Sequence, residues 1–187
     1  EKICSLFCDY IVTINKEDYL RASKFFAKNI RYIPGVGVDI SHIKKVTINK
    51  ERYRENIGVP KDAIVLISIG KLKNKNIYYV ICGKGPLLDK LIKLTEELKI
   101  SENIKFLGFR NDIAELCHVA DIGAFPSKIE GLGLAGIEIM AAGIPLVSSN
   151  VHGILDYVVD GETGYACNPE DVDAFATVID KLVSNRE

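Results

Sequence analysis

From Ile64 onward, short apolar runs alternate with helical patterns, and no other feature constrains the fold as much. Ile64 to Gly70 (IVLISIG) and Ile77 to Gly83 (IYYVICG) are β-branched, apolar and closed by glycine, as buried parallel strands are. Leu87, Leu91, Leu94 and Leu98 recur at helical spacing and mark one helix face. Ile104 to Phe109 predicts a strand, Ile113 to Ala120 a helix, and Ile122 to Phe125 and Leu146 to Ser149 two further strands. A short helix is expected at Ile154 to Val159, then a turn at Asp160-Gly161. Asn168-Pro169-Glu170-Asp171 predicts a helix start, with Asn168 as cap and Pro169 at the first helical position. Val172, Phe175, Ala176 and Ile179 give that helix its apolar stripe. This alternation predicts an α/β fold, a doubly wound parallel sheet of Rossmann-like type.

One junction does not suit such a sheet. Only Lys71 to Asn76 (KLKNKN) joins the first two runs, whereas parallel neighbours need a crossover of about a dozen residues or more. Either the two strands form an antiparallel hairpin or the chain skips a segment. KLKNKN is a poor tight turn, which favours the skipped segment. Upstream, Asp9 to Ile14 predicts a strand, Asn15 caps a helix reaching about Phe26, and Ile30 to Ile33 is extended. Pro34 to Asp39 (PGVGVD) has the composition of a linker. Residues 1–33 therefore read as the tail of an upstream unit, too small to fold alone.

With 187 residues, 48% of them apolar, the chain can bury a full core. The 24 basic and 25 acidic residues leave a net charge of −1, which argues against nucleic acid as the main partner. No apolar run reaches the roughly 18 residues of a membrane span. No signal peptide is visible, although the first residue is Glu1 rather than Met. The five cysteines lack CxxC spacing, which argues against a disulfide framework or a zinc site and points to a reducing, cytoplasmic compartment. Cys82 and Cys117 read as small core residues.

The chemistry concentrates between Pro126 and Pro145. A polar loop, Ser127 to Gly133, runs into an apolar helix, about Leu134 to Ala142, which Gly143 and Pro145 stop. Glu130 lies in the loop and Glu138 in the helix. A helix apolar all round is expected to be buried, and a buried carboxylate needs a partner; the plainer reading of Glu138 is a partly exposed helix charge, and of Glu130 a solvated loop charge. The loop leaves backbone N–H groups for a phosphate or a sugar hydroxyl, and Gly131 and Gly133 permit close approach. Gly83-Lys84-Gly85 follows a strand, but Leu88 stands where a dinucleotide fingerprint needs a third glycine, so a tight turn is the plain reading. Asp171-Val172-Asp173 resembles a metal-binding DxD, yet acidic residues are favoured in a capped first turn, and no metal is expected. His118 reads as a core or rim residue, and His152 as a capping or surface one. Lys44, Lys45 and Lys50 read as a solvated face.

Taken together, these stretches resemble the retaining glycosyltransferases of family 4, which have the GT-B fold. The resemblance rests on Glu130 and Glu138 in their Glu-x7-Glu spacing within Ser127 to Gly143. GKGP at Gly83, KFLGFRND at Lys105, ADIGAFPS at Ala120 and GETGY at Gly161 follow in the family's order, and IPGVGVD at Ile33 resembles its interdomain linker. It implies that residues 1–33 end an acceptor-binding domain, 34–39 are the linker, and 40–187 form the nucleotide-sugar-binding domain. It further implies that Glu138 binds the ribose hydroxyls, as a carboxylate can accept two hydrogen bonds from a diol. Glu130 would lie against the donor sugar as the catalytic residue. The amides of Leu132, Gly133, Leu134 and Ala135 would meet sugar hydroxyls and phosphate, with Gly131 in the same donor-binding loop; Gly83, Gly85, Phe109 and Arg110 would lie by the nucleotide, the Arg110 backbone meeting the base. The implied donor is a UDP-sugar, used without cofactor or metal. The implied acceptor is a saccharide or lipid held by the other domain, which would also make any peripheral contact with the inner face of a membrane, in surface polysaccharide synthesis. The family places an Arg or Lys pair just after the first strand of this domain. Lys71, Lys73 and Lys75 read instead as the lead-in to the next strand, so the diphosphate clamp is unassigned. A non-catalytic nucleotide-binding domain and a sugar-nucleotide epimerase of the same fold are the alternatives.

Overall fold

The computed structural model describes residues 1–34, 37–67 and 77–185. The first of these stretches holds β1 (Tyr10–Thr13), α1 (Lys16–Ala22) and β2 (Asn29–Tyr32), with β1 and β2 paired in parallel as a separate two-stranded sheet. Asn15 caps α1, accepting from the Asp18 N–H at 2.7 Å. The helix ends before Phe26 because its last turn tightens, Phe25 N–H bonding to the Ala22 carbonyl, and Phe26 N–H is drawn to the Ser5 hydroxyl at 2.9 Å.

Two short helices that the sequence pattern did not reveal follow: α2 (Ile40–Lys45), capped by Asp39, and α3 (Lys50–Asn56), capped by Asn49. Then come β3 (Ile64–Ile67), β4 (Ile77–Cys82), α4 (Leu88–Glu97), β5 (Ile104–Gly108), α5 (Ile113–Val119), β6 (Ile122–Phe125), α6 (Leu134–Ala141), β7 (Leu146–Ser149), β8 (Gly164–Cys167) and α7 (Val172–Ser184). The six strands from β3 form one sheet in the order β5-β4-β3-β6-β7-β8, every pair parallel. Counted from β3, this is the doubly wound order, with the winding reversing between β3 and β6. The hairpin alternative for β3 and β4 is thereby overturned: Ile64 to Ile67 pair in parallel with Ile77 to Val80. The end of the first predicted run, the KLKNKN stretch with its lysines, and part of the predicted linker lie outside the described residues.

Three local expectations are corrected. The helix expected at Ile154 to Val159 is a 3₁₀ turn, His152–Asp156; Thr163 Oγ1 accepts the Val159 N–H at 2.8 Å and diverts the chain. The cap of α7 is Asp171, which accepts from Ala174 N–H at 2.9 Å, while Asn168 forms the turn before it through Glu170 N–H. Lys50 lies 3.6 Å from Asp121 rather than merely facing solvent. Asp121 also pairs with Arg54 at 2.7 Å and accepts from Val65 N–H. The buried Arg54 guanidinium donates besides to the carbonyls of Val119, Lys61 and Ala63, locking α3 to the entry of β3.

On one face of the sheet, Leu116 and Cys117 of α5, Ile139 of α6 and Ile154 cover Val65, Val80 and Leu146. On the other, Phe175 and Ile179 of α7 cover Leu66, Ile122 and Val147. The leucine face of α4 does not close on a core: Leu87, Leu94 and Leu98 are 61%, 45% and 41% exposed. Among the described residues no helix is long and apolar enough to cross a membrane.

Candidate functional site

Because the sheet is parallel, the carboxyl ends of its strands share one edge, the edge at which open α/β sheets bind ligands. The loop after β6 rises there and enters α6 at Gly133, whose φ of +77° is left-handed. A side chain at Gly133 would also come within 2.7 Å of the Phe125 ring. The loop carbonyls are held from behind. Tyr157 hydroxyl donates to the Gly133 carbonyl at 3.1 Å, and the fully buried Asn15 donates to the Gly131 carbonyl at 2.8 Å. Gly153 packs so close beneath that an added Cβ would lie 2.1 Å from the Gly131 oxygen. With the carbonyls engaged, the N–H groups of Leu132, Gly133, Leu134 and Ala135 have no protein acceptor among the described residues. This is the arrangement of a helix N-terminus open to an anion or hydroxyl.

Glu130 is half-buried and accepts from the Ser127 hydroxyl at 3.0 Å. Burial raises the Tyr157 phenol well above its ordinary range, and the nearby Glu130 charge adds to the effect. Glu138 is also half-buried, which corrects the expectation of a wholly buried helix: α6 buries Gly136 and Ile139, while Leu134 and Ala135 are exposed. Among the described residues, no hydrogen bond or ion pair reaches its carboxylate. Burial alone raises it above the usual 4.5. On the α5 side lies Cys117, whose thiol is pushed up to about 12 by burial, with Glu138 and Cys82 adding smaller contributions.

Gly83 N–H donates to the Gly108 carbonyl at 2.7 Å, so the Gly83–Gly85 turn lies beside Phe109 and Arg110. Phe109 is 68% exposed, and a cavity of about 270 Å³ opens between Gly83, Gly85, Leu88 and Phe106. The Arg110 side chain is committed to neighbouring side chains. It bonds both Asp112 oxygens, at 2.8 and 2.5 Å, and the Tyr53 hydroxyl, which itself donates to Asp112. The Arg110 hydrogen bonds hold the Asp112 carboxyl at about 2, while burial and Asp112 push the Tyr53 phenol up to about 12. Burial raises the Cys82 thiol, with weaker influences of Arg110 and Asp112. The structure therefore groups the predicted residues into two sets on one edge, the Glu130–Glu138 loop and helix, and the Gly83, Gly85, Phe109 and Arg110 rim.

Sequence reasoning saw Asn15 only as a cap and missed Tyr157 altogether. Both act on backbone far away in sequence, for which no local signal exists. His152 lies 3.6 Å from Glu17, and His118 shares a 2.7 Å hydrogen bond with the Ile43 carbonyl. Among the described residues, no three His, Cys, Asp or Glu side chains are grouped to hold a metal ion.

Comparison with known proteins follows the same line. The family model of glycosyl transferases group 1 matches residues 43–187. A putative glycosyltransferase, EpsD of Bacillus subtilis, is 32% identical over 208 aligned positions, covering all of this chain and 55% of that protein. The N-acetyl-alpha-D-glucosaminyl L-malate synthase of Bacillus anthracis is 28% identical over 79% of this chain and 38% of its own length. Among solved structures, Anabaena HepE in complex with UDP and glucose superimposes with a TM-score of 0.84 at 20% identity, over 95% of this chain and 54% of that one. At that identity the likeness speaks for the fold. The chain spans about half the length of these relatives or less.

Proposed function

The chain belongs to the glycosyl transferases group 1 family, and from that premise we propose that it is the donor half of a retaining hexosyltransferase that takes a UDP-sugar. The observation that carries this reading is Glu138: a half-buried carboxylate that has no partner among the described residues, set in an apolar helix directly behind a loop whose amides likewise meet no acceptor among them. A vicinal diol supplies the two donors such a carboxylate lacks. In this reading Glu138 holds the ribose, and the amides of Leu132 to Ala135 take the phosphate and sugar hydroxyls. Glu130, steadied by Ser127, orients the sugar and stabilises positive charge at its anomeric carbon as the diphosphate departs and the acceptor attacks from the same face. The rim of Gly83, Gly85, Phe109 and the Arg110 backbone receives the base. The UDP and glucose of the Anabaena neighbour support the choice of base.

Residues 1–33 are, in this proposal, the end of an acceptor-binding domain, 34–39 the linker and 40–187 the donor domain. Ile3, Phe7, Val12 and Leu20 are more than half exposed, which suits surfaces made to pack against a larger unit. The acceptor is then a saccharide or lipid in surface polysaccharide synthesis, reached on the cytoplasmic side. The test is calorimetric titration with UDP, GDP and ADP. UDP is expected to bind, and Glu138→Ala to weaken it about 10–100-fold, the worth of hydrogen bonds to a charged group. Binding of UDP that is indifferent to Glu138→Ala would remove Glu138 from the site.

A further inference from the structure

Two side chains from distant parts of the sequence hold the backbone of the loop that enters α6. Asn15, at the start of α1, is fully buried. Its Oδ1 accepts from the Asp18 N–H at 2.7 Å, which fixes Nδ2 as the donor; Nδ2 bonds to Asp18 Oδ2 and to the Gly131 carbonyl, each at 2.8 Å. Tyr157, after the 3₁₀ turn, donates to the Gly133 carbonyl at 3.1 Å, beside the Gly136 N–H at 3.0 Å. Burial holds the Tyr157 phenol well above its ordinary range, so it stays protonated and donates. Neither contact leaves room for added bulk. A Cβ at Gly153 would lie 2.8 Å from the Asn15 Cβ, and one at Gly136 would lie 2.6 Å from the Tyr157 hydroxyl. Glycine inside a helix weakens it, and here it makes the room that the hydroxyl needs.

A peptide group is planar and trans, so its carbonyl and the N–H that follows point in opposite directions. Holding the Gly131 carbonyl therefore fixes the direction of the Leu132 N–H, and holding the Gly133 carbonyl fixes that of the Leu134 N–H. A hydrogen bond accepted by a carbonyl also polarises its peptide and strengthens the attached N–H as a donor. Neither N–H meets an acceptor among the described residues. The two holding side chains are tied to each other through the turn His152–Asp156, which leads directly into Tyr157. The Lys16 N–H donates to Asp156 at 3.0 Å, and Glu17 lies 3.6 Å from His152.

We propose that Asn15 and Tyr157 are positioning residues: through the carbonyls of Gly131 and Gly133 they aim the Leu132 and Leu134 amides at the diphosphate of the donor. The inference rests on the donor reading and adds to it the side chains that preset those amides. Donors set in advance take up negative charge without first reorganising, which is the source of their effect. Asn15 carries the larger share. The Gly131 carbonyl has no other donor among the described residues, whereas the Gly133 carbonyl keeps the Gly136 N–H when Tyr157 is altered. Asn15 also belongs to residues 1–33, so the Leu132 amide is set only while that segment stays docked on the turn.

The test titrates this chain with UDP and with uridine, which shares the base and ribose but has no phosphate, and repeats both with Asn15→Ser and Tyr157→Phe. Serine caps a helix as well as asparagine does, but its hydroxyl ends one bond short of the Gly131 carbonyl. Asn15→Ser is expected to weaken UDP about 3–10-fold, the worth of one hydrogen bond, and Tyr157→Phe to weaken it less. Both should leave uridine binding and the circular dichroism unchanged. Without ligand, the amide nitrogen resonance of Leu132 should move in Asn15→Ser and that of Leu134 in Tyr157→Phe. Equal weakening of UDP and uridine, or weakening of neither, overturns the proposal, and so do unmoved resonances. Should Asn15→Ser not fold, Tyr157→Phe decides by the same two readouts. A parent chain that binds neither UDP nor uridine is a different failure: it overturns the donor reading, and the aim at a diphosphate goes with it.

Discussion

On one face of the six-stranded sheet, α5, α6 and the 3₁₀ turn bury Leu116, Cys117, Ile139 and Ile154 against the strands. On the other, α4 and α7 stand apart, and Leu94 and Val172 remain about half exposed. The strands between them are the same and equally apolar on both sides. The difference lies in the crossovers, since a parallel sheet is covered only by the helices its own connections supply. Three connections wind onto the first face, from β5 to β6, β6 to β7 and β7 to β8, and each brings its own cover. On the second, the described helices are α4 and α7, and a groove lies between them. The closed face also carries Glu138 and the Gly133 loop, so the candidate site stands on the better-packed half of the molecule.

The largest expected effect concerns the lock at the base of the closed face. Arg54→Met leaves the carbonyls of Val119 and Ala63 without their guanidinium donor and Asp121 without its closest cation. Removing one member of a buried pair costs about 3–5 kcal/mol, measured by urea unfolding. A cost below about 1 kcal/mol would show that α3 is not anchored this way. Next comes a matched pair of truncations that sets one face against the other. Leu116→Ala in α5 is expected to cost about 2–5 kcal/mol, as buried leucines do. Leu94→Ala in α4 should cost about 0.5 kcal/mol or less, as surface changes do. Equal costs would erase the distinction between the faces.

The smallest expected stability effect lies on the closed face at its ligand edge. Burial raises the Glu138 carboxyl above its ordinary 4.5, so the folded protein holds that proton more tightly than the unfolded chain. The stability from this preference is complete below pH 4.5 and is lost as pH rises through the folded value. Glu138→Gln should therefore unfold at a slightly higher urea concentration than the parent chain at pH 7, with a flatter profile from pH 4 to 8, while binding UDP less tightly. A variant that is less stable at pH 7 would mean that the carboxylate has a structural partner rather than a ligand to wait for.

Most of the fold could be read along the chain, since periodicity and turn residues act over a few positions. The runs at Ile77, Ile104, Ile122 and Leu146 are strands, and Gly143, with φ at +81°, ends α6 where the Gly-x-Pro signal put it. The loop and helix bearing Glu130 and Glu138 were likewise legible, because a carboxylate among apolar neighbours is conspicuous in any order of reading. β8 escaped, since Gly164 to Cys167 is short and lacks an alternating pattern. α2 and α3 escaped because their seven residues or fewer are held by Asp39 and Asn49 caps and the Arg54 lock rather than by a long apolar stripe.

What the amino-acid order determined by itself was therefore which residues share a strand or a helix face, and which backbone positions must turn. Tertiary structure alone decided what each face meets. The four leucines of α4 are as regular as a core stripe, yet several face a groove, because periodicity marks an apolar face without supplying its cover. Asn15 reaches the Gly131 carbonyl, and Arg110 is committed to Asp112 and Tyr53, through contacts between segments that only the parallel winding of the sheet brings together.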